Sequence, residues 1–397
     1  MENEKQLKMD DSILNVWELW KSADNLTNDE KESRSKAFER LKNCEESLTI
    51  RCLSLSAVPN TFPNSLTKLD ISSNKLTHVP DYLPETLEIL DLSGNQISII
   101  PEKLPINLRK LCMTHNTITK VPKTLPESLI KLNLCANKIT KLPNKLPKNL
   151  KKLELVSNQL TCLPENLPDS LELLVVTFNK LTNLPDNLPK SLRTLYAIHN
   201  EITFLPETLP ELLEELYIRN NKLLSLPERL PKSLKALLIE NNEFKILENL
   251  NLPELKYFNI SRNNLTNLPR NLPETLEFLS ACNNNLSVIQ NDLPKSLMYL
   301  DLNENNITTL PKNLPPQLKE LNLRRNKLIE IPTGLPQSLS LLNLDNNLIT
   351  EVSSNIEDIP DAEIRLKGNL ISKTSMEYLQ QLMRTTNRQN IWFDTGN

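Results

Sequence analysis

The chain has 397 residues with 46 basic and 49 acidic side chains, and its net charge of −3 gives no general attraction to nucleic acid or to an anionic membrane. Only 4 glycines and 3 histidines occur, far apart, so neither a glycine-rich phosphate loop nor a paired Cys/His zinc site can be assembled. Aromatic residues make up 4% against 28 prolines, so leucine and proline, rather than a Phe/Trp core, must build the structure. The six cysteines, Cys44, Cys52, Cys112, Cys135, Cys162 and Cys282, show no paired framework and read as reduced fillers. No apolar run reaches membrane-span length.

In chain order, residues 1–11 are charged and polar and read as a disordered leader without a Sec-type signal. Residues 12–45 read as a helical cap. Ile13, Val16, Trp17 and Trp20 recur at helical spacing. A second helix starts at Thr27, with Glu30 completing a capping box, and carries Ala37, Phe38, Leu41 and Cys44 on one face. These stripes either plug the end of the fold or dock a partner.

From 46 to 360 the chain repeats every 21 residues. Asparagine recurs in fourteen successive registers, from Asn74 to Asn347. Around Asn95 the pattern is Leu87, Leu90, Leu92, Asn95, Ile97, Ile100, then Pro101 and Pro105, which is the L-x-x-L-x-L-x-x-N pattern of a leucine-rich repeat. Alternation around the central leucines predicts one short strand per repeat, apolar inward and variable outward. No single repeat can bury its leucines alone, so the rungs must stack. A buried amide can satisfy the backbone of the turn that follows each strand, which explains the asparagine. Two prolines in each return exclude a regular helix there. The predicted fold is an α/β repeat solenoid with a parallel concave β-sheet, an extended proline-rich convex side and helical caps at both ends. Leu48, Ile50 and Leu53 form an atypical first rung. Glu248 replaces the first proline after Asn242 and the second slips to Pro253, while Gln290 replaces another, so the loop path should change there. The last rung ends at Asn369, 22 residues after Asn347. In the closing segment, 361–397, Ser372 caps a helix bearing Met376, Leu379, Leu382 and Met383.

No catalytic, cofactor-binding or metal-binding set emerges. His115 and His199 each precede a ladder asparagine and should be exposed at a strand end. Asp70 and Asp91 should stack on adjacent rungs as a solvated acidic edge. Between Lys120 and Glu154 stand nine lysines and two glutamates, and Lys110, Lys131 and Lys152 share one outward position. That column suits solubility or an acidic protein surface, and without interleaved aromatics nucleic acid ranks last. The outward positions of the middle rungs turn apolar: Leu173, Val175, Phe178, Tyr196, Ile198, Tyr217, Leu238, Tyr257, Phe278 and Tyr299. Strand preference favours such residues, but earlier rungs place Lys, Asp, Asn and Ser there, so the shift points to a partner-binding surface.

Taken together, Trp17-x-x-Trp20, the run Glu32-x-Arg34-x-x-Ala37-x-x-Arg40-Leu41-x-x-Cys44, the double-proline repeat and Leu366-x-Gly368-Asn369-x-x-Ser372 resemble type III-secreted leucine-rich-repeat effectors. These form the Yersinia outer protein M / IpaH-type family. The resemblance implies delivery into a host cytoplasm, with the nucleus also open, and host proteins as partners, signalling kinases among them. Self-association stays open. IpaH-type members carry a ligase domain with a Cys-x-Asp nucleophile. None of the six cysteines here is followed by x-Asp, and the chain ends at Asn397 where that domain would start. The expectation is therefore a nonenzymatic scaffold, with the leader as export signal. The alternatives are the substrate-recognition part of a truncated or split ligase, and a cytoplasmic or surface repeat protein unrelated to secretion.

Overall fold

The computed structural model describes residues 10–248, 250–289 and 293–394. The expected leader falls largely outside the described residues, and Gln290 does so entirely. The chain divides into two compact units, Met1–Asn200 and Glu201–Asn397.

The first unit opens with α1 (Asp11–Lys21) and α2 (Asn28–Lys42). Asp10 caps α1 by accepting from the Ser12 amide, and Thr27 with Glu30 forms the expected reciprocal capping box of α2. Trp17 is fully buried; its indole N–H donates to the Thr61 carbonyl at 2.7 Å and its ring meets Phe62 edge-on. Ala37, Phe38 and Leu41 are buried on α2, and Arg40 donates to the carbonyls of Thr49 and Arg51. The helices thus cover Leu48 and Ile50 of the first rung, which would otherwise face water. Eight strands follow: β1 (Ser47–Thr49), β2 (Lys68–Asp70), β3 (Ile89–Asp91), β4 (Lys110–Cys112), β5 (Lys131–Asn133), β6 (Lys152–Glu154), β7 (Leu173–Val175) and β8 (Thr194–Tyr196). Neighbours pair in parallel, each central leucine beside the next and buried.

The asparagine ladder ties successive rungs together. The Asn116 carbonyl oxygen accepts from the Ile97 amide at 2.9 Å, while its amide nitrogen donates to Leu92 O at 3.0 Å and Met113 O at 3.2 Å. The residue before each ladder asparagine is left-handed, as at Ser73 (φ 54°), His115 (52°) and Phe178 (55°). In the returns the second proline carbonyl accepts from the amide three residues on, as in Leu108 N to Pro105 O at 3.1 Å. These turns take the place of a helix in the return segments.

The second unit contains β9 (Glu215–Tyr217), β10 (Ala236–Leu238), β11 (Tyr257–Asn259), β12 (Phe278–Ser280), β13 (Tyr299–Asp301), β14 (Glu320–Asn322), β15 (Leu341–Asn343), β16 (Glu363–Arg365) and β17 (Ile391–Trp392). They too pair in parallel. Where the return after Asn347 loses both prolines, at Ser353 and Glu357, the backbone winds into a 3-10 turn over Ser354–Asp358. Glu248 lines a cleft of about 490 Å³ with Lys245, Leu247 and Arg270, at the rung whose proline spacing slips. Asn369 keeps the ladder contacts despite its 22-residue step, donating to Leu344 O and Leu366 O. The helix α3 (Lys373–Thr386) is capped by Ser372 and buries Leu379 and Leu382. Beyond it, β17 adds to β16 (Ile364↔Ile391), a strand that the repeat pattern did not announce.

Candidate functional site

In most strands of both units the first and third residues are exposed or half-buried and the middle residue points into the core; Ala236, Ser280 and Asn343 are buried exceptions. Of the ten residues singled out, Leu173, Val175, Phe178, Tyr196 and Ile198 lie in the first unit. Tyr217, Leu238, Tyr257, Phe278 and Tyr299 lie in the second.

In the first unit Lys110, Lys131 and Lys152 are direct register partners on adjacent strands. Stacked like charges repel unless matched. Here Glu154 supplies the match: it pairs with Lys131 at 2.5 Å and accepts from Asn133. Lys110 and Lys152 remain exposed. Asp70 and Asp91 do stack, but each carboxylate accepts from the amide two residues on, Ser72 and Ser93, at 3.0 Å. They stabilise the turn after the strand. Leu173, Val175 and Tyr196 are half-buried strand residues.

Two positions differ from the sequence reading. Ile198 is buried, at 9% exposure, rather than presented outward. It stands past the end of β8, at the bend that precedes the left-handed residue, so simple strand alternation no longer governs it. Phe178 is not on a strand either; it occupies the left-handed position itself, 51% exposed. A bulky residue is costly there, and its ring is stacked on His199 with centroids 4.4 Å apart and planes at 11°. His115 and His199 are exposed as expected.

In the second unit Tyr217 and Leu238 are register neighbours. Tyr257, Phe278 and Tyr299 form a column, each ring 6.4 Å from the next and tilted by 35° and 39°. Stacked or tilted aromatic pairs at this separation attract beyond their buried area. Tyr257 is 51% exposed, and Phe278 and Tyr299 are half-buried.

Chemistry of the thiols is muted. Burial pushes the Cys135 thiol up to about 11, and its sulfur accepts from the Val156 amide. Burial also raises Cys44. Both are therefore thiols, not nucleophilic thiolates, near neutral pH. Among the described residues no three His, Cys, Asp or Glu side chains gather as a metal site, and no helix is long and apolar enough to cross a membrane. The sequence reading missed a set of inter-rung ion pairs at the strand entry: Lys151–Glu172, Lys235–Glu214 and Lys256–Glu277, each at 2.8 Å. Their common separation, one repeat, was the available signal.

A model of the leucine-rich-repeat family matches residues 65–85 and 86–105. No curated protein matches the chain. Among solved structures, YopM of Yersinia pestis, described as a leucine-rich effector protein, is similar at 32% identity and a TM-score of 0.68; the match covers 91% of this chain and 94% of that one. YopM from Yersinia enterocolitica WA-314 is similar at 28% identity and a TM-score of 0.59, covering 97% and 99%. A leucine-rich-repeat protein of Leptospira interrogans follows at 25% identity and a TM-score of 0.65, covering 91% and 98%.

Proposed function

The chain belongs to the leucine-rich-repeat family, and from that premise we propose that it is a nonenzymatic effector of the YopM/IpaH type that binds host proteins. Members of this family serve as scaffolds for protein–protein interaction, and the fold supplies a preformed array of outward strand positions. On this reading the protein is exported by a type III system, acts in the host cytoplasm, and sequesters or bridges host signalling proteins, kinases among them.

The observation that carries the reading is the apolar turn of the outward positions within a fold similar to an effector. Val175, Tyr196, Tyr217, Leu238 and the column Tyr257–Phe278–Tyr299 stand where preceding rungs place lysine and carboxylates. None of these side chains is needed for the core, which the middle strand leucines fill. Tyrosine anchors at interfaces typically cost about 2 kcal/mol when truncated. The elevated Cys135 thiol and the absence of a Cys-x-Asp sequence favour scaffolding over ubiquitin transfer.

The test is capture from host cytosol, quantified by mass spectrometry, with wild type and a Tyr217→Ala/Tyr257→Ala variant. Loss of one such anchor weakens binding about thirtyfold, so the folded variant should lose the main partners. Equal capture by the two proteins contradicts the reading.

A further inference from the structure

The outward positions of the second unit are chemically one-sided. Over β9 to β15 the first and third strand residues include three carboxylates, Glu215, Asp301 and Glu320, and no lysine or arginine. Two of the three sit at one end of the aromatic column. Tyr299 is the register partner of Glu320, and Asp301 is two residues along the same strand. Other carboxylates near these strands are matched by cations: Glu240 by Arg219 at 3.2 Å, Glu277 by Lys256 at 2.8 Å and Glu304 by Arg325 at 2.8 Å. Asp301 and Glu320 make no ion pair among the described residues. One Asp301 oxygen accepts from the Asn303 side chain at 2.6 Å, leaving the other for a further donor. Arg324, in the next rung, stands beyond the strand end, so the strand positions themselves stay acidic.

We infer that this face takes an extended segment of a partner protein bearing an arginine, whose guanidinium lies over the Tyr299 ring and donates to Asp301 and Glu320. The inference rests on the protein-binding reading above and specifies the partner's chemistry. A cation placed over a tyrosine ring is drawn to its negative face. A planar fork of donors suits two carboxylates better than a compact ammonium, so arginine exceeds lysine. The column continues as Phe278 and Tyr257, which offers apolar contact to the residues flanking that arginine.

The experiment is fluorescence anisotropy of the full chain with labelled oligo-arginine, oligo-lysine and oligo-glutamate peptides at physiological ionic strength. Asp301→Asn is conservative here, because Asn259, Asn322 and Asn343 occupy the same position and accept from the amide two residues on, just as Asp301 does. The expected order is oligo-arginine first, oligo-lysine weaker and oligo-glutamate unbound. Asp301→Asn with Glu320→Gln should weaken oligo-arginine by about tenfold or more. Tyr299→Leu, which leaves charge unchanged, should weaken it by about tenfold. Asp70→Asn with Asp91→Asn in the first unit should change nothing, and melting curves confirm that each variant is folded. Unchanged affinity in either the carboxylate pair or Tyr299→Leu, or preferential binding of oligo-glutamate, overturns the inference. If it fails while host-protein capture still depends on Tyr217 and Tyr257, the binding face stands and only the arginine specificity falls.

Discussion

Each ladder asparagine is shared, and the sharing predicts a non-additive cost of deleting neighbours. The Leu92 carbonyl accepts from two amides, those of Asn95 and Asn116, both at 3.0 Å. The Met113 carbonyl likewise accepts from Asn116 and Asn137. In Asn116→Ala both carbonyls therefore keep one donor. The group left bare is the Ile97 amide, whose partner is the Asn116 side chain and whose residue is fully buried. An orphaned buried donor costs about 1–3 kcal/mol. Asn95→Ala acts in the same way through the Leu76 amide. The double variant Asn95→Ala/Asn116→Ala additionally strips both donors from Leu92 O, so it should cost about 1 kcal/mol more than the two single changes together. Asn95→Ala/Asn158→Ala is the control, because Asn158 donates to Leu134 and Leu155 and shares no acceptor with Asn95. Urea unfolding by circular dichroism of the three single and two double variants, supported by hydrogen exchange at the Ile97 amide, reads the coupling. Equal coupling in the adjacent and the remote pair would refute the shared-acceptor reasoning.

Three further outcomes follow from the same contacts. Removing residues 1–45 uncovers Leu48 and Ile50, and should give aggregation or fraying from that end in size-exclusion and melting experiments; an unchanged melting curve would make the helices an independent recognition element. Because folding raises the Cys135 thiol from 9.0 to about 11, the unfolded chain loses this proton first as pH rises. Stability from Cys135 is thus full below about pH 9 and is lost as pH climbs through about 11; Cys135→Ala should flatten that part of the stability profile, and thiol labelling should reach the exposed Cys52 and Cys162 well before Cys135. Phe178→Asn should raise stability by about 1 kcal/mol, since asparagine tolerates the left-handed backbone that phenylalanine resists; a lower melting temperature would mean that stacking on His199 outweighs the backbone strain.

Much of this architecture was legible because the repeat is physical as well as numerical. The asparagine register marks the turn after every strand, the paired prolines mark the helix-free return, and Thr27 with Glu30 marks the start of α2. The lysine column was legible too, since one repeat is one strand step. What escaped were features without a repeating residue type. The left-handed row is filled by Ser, Gly, His, Ala, Phe, Asn, Arg and Glu in different rungs, so composition conceals it and Phe178 was mistaken for a strand residue. β17 is two residues long and owes its existence to the edge that β16 offers. Glu154 as the counter-charge of Lys131 lies across a strand boundary and is diagonal in register, a relation that local spacing does not announce.

The claim at the centre of this account is that partner proteins dock on the outward strand positions. A photo-crosslinking residue placed at Phe278 samples that face, and one placed at Ile246, 68% exposed and outside any strand, samples the return loops. Irradiation in host cytosol should give discrete protein adducts from Phe278 and none of the same mass from Ile246. Adducts at Ile246 with none at Phe278 would contradict the account and move the binding surface to the loops.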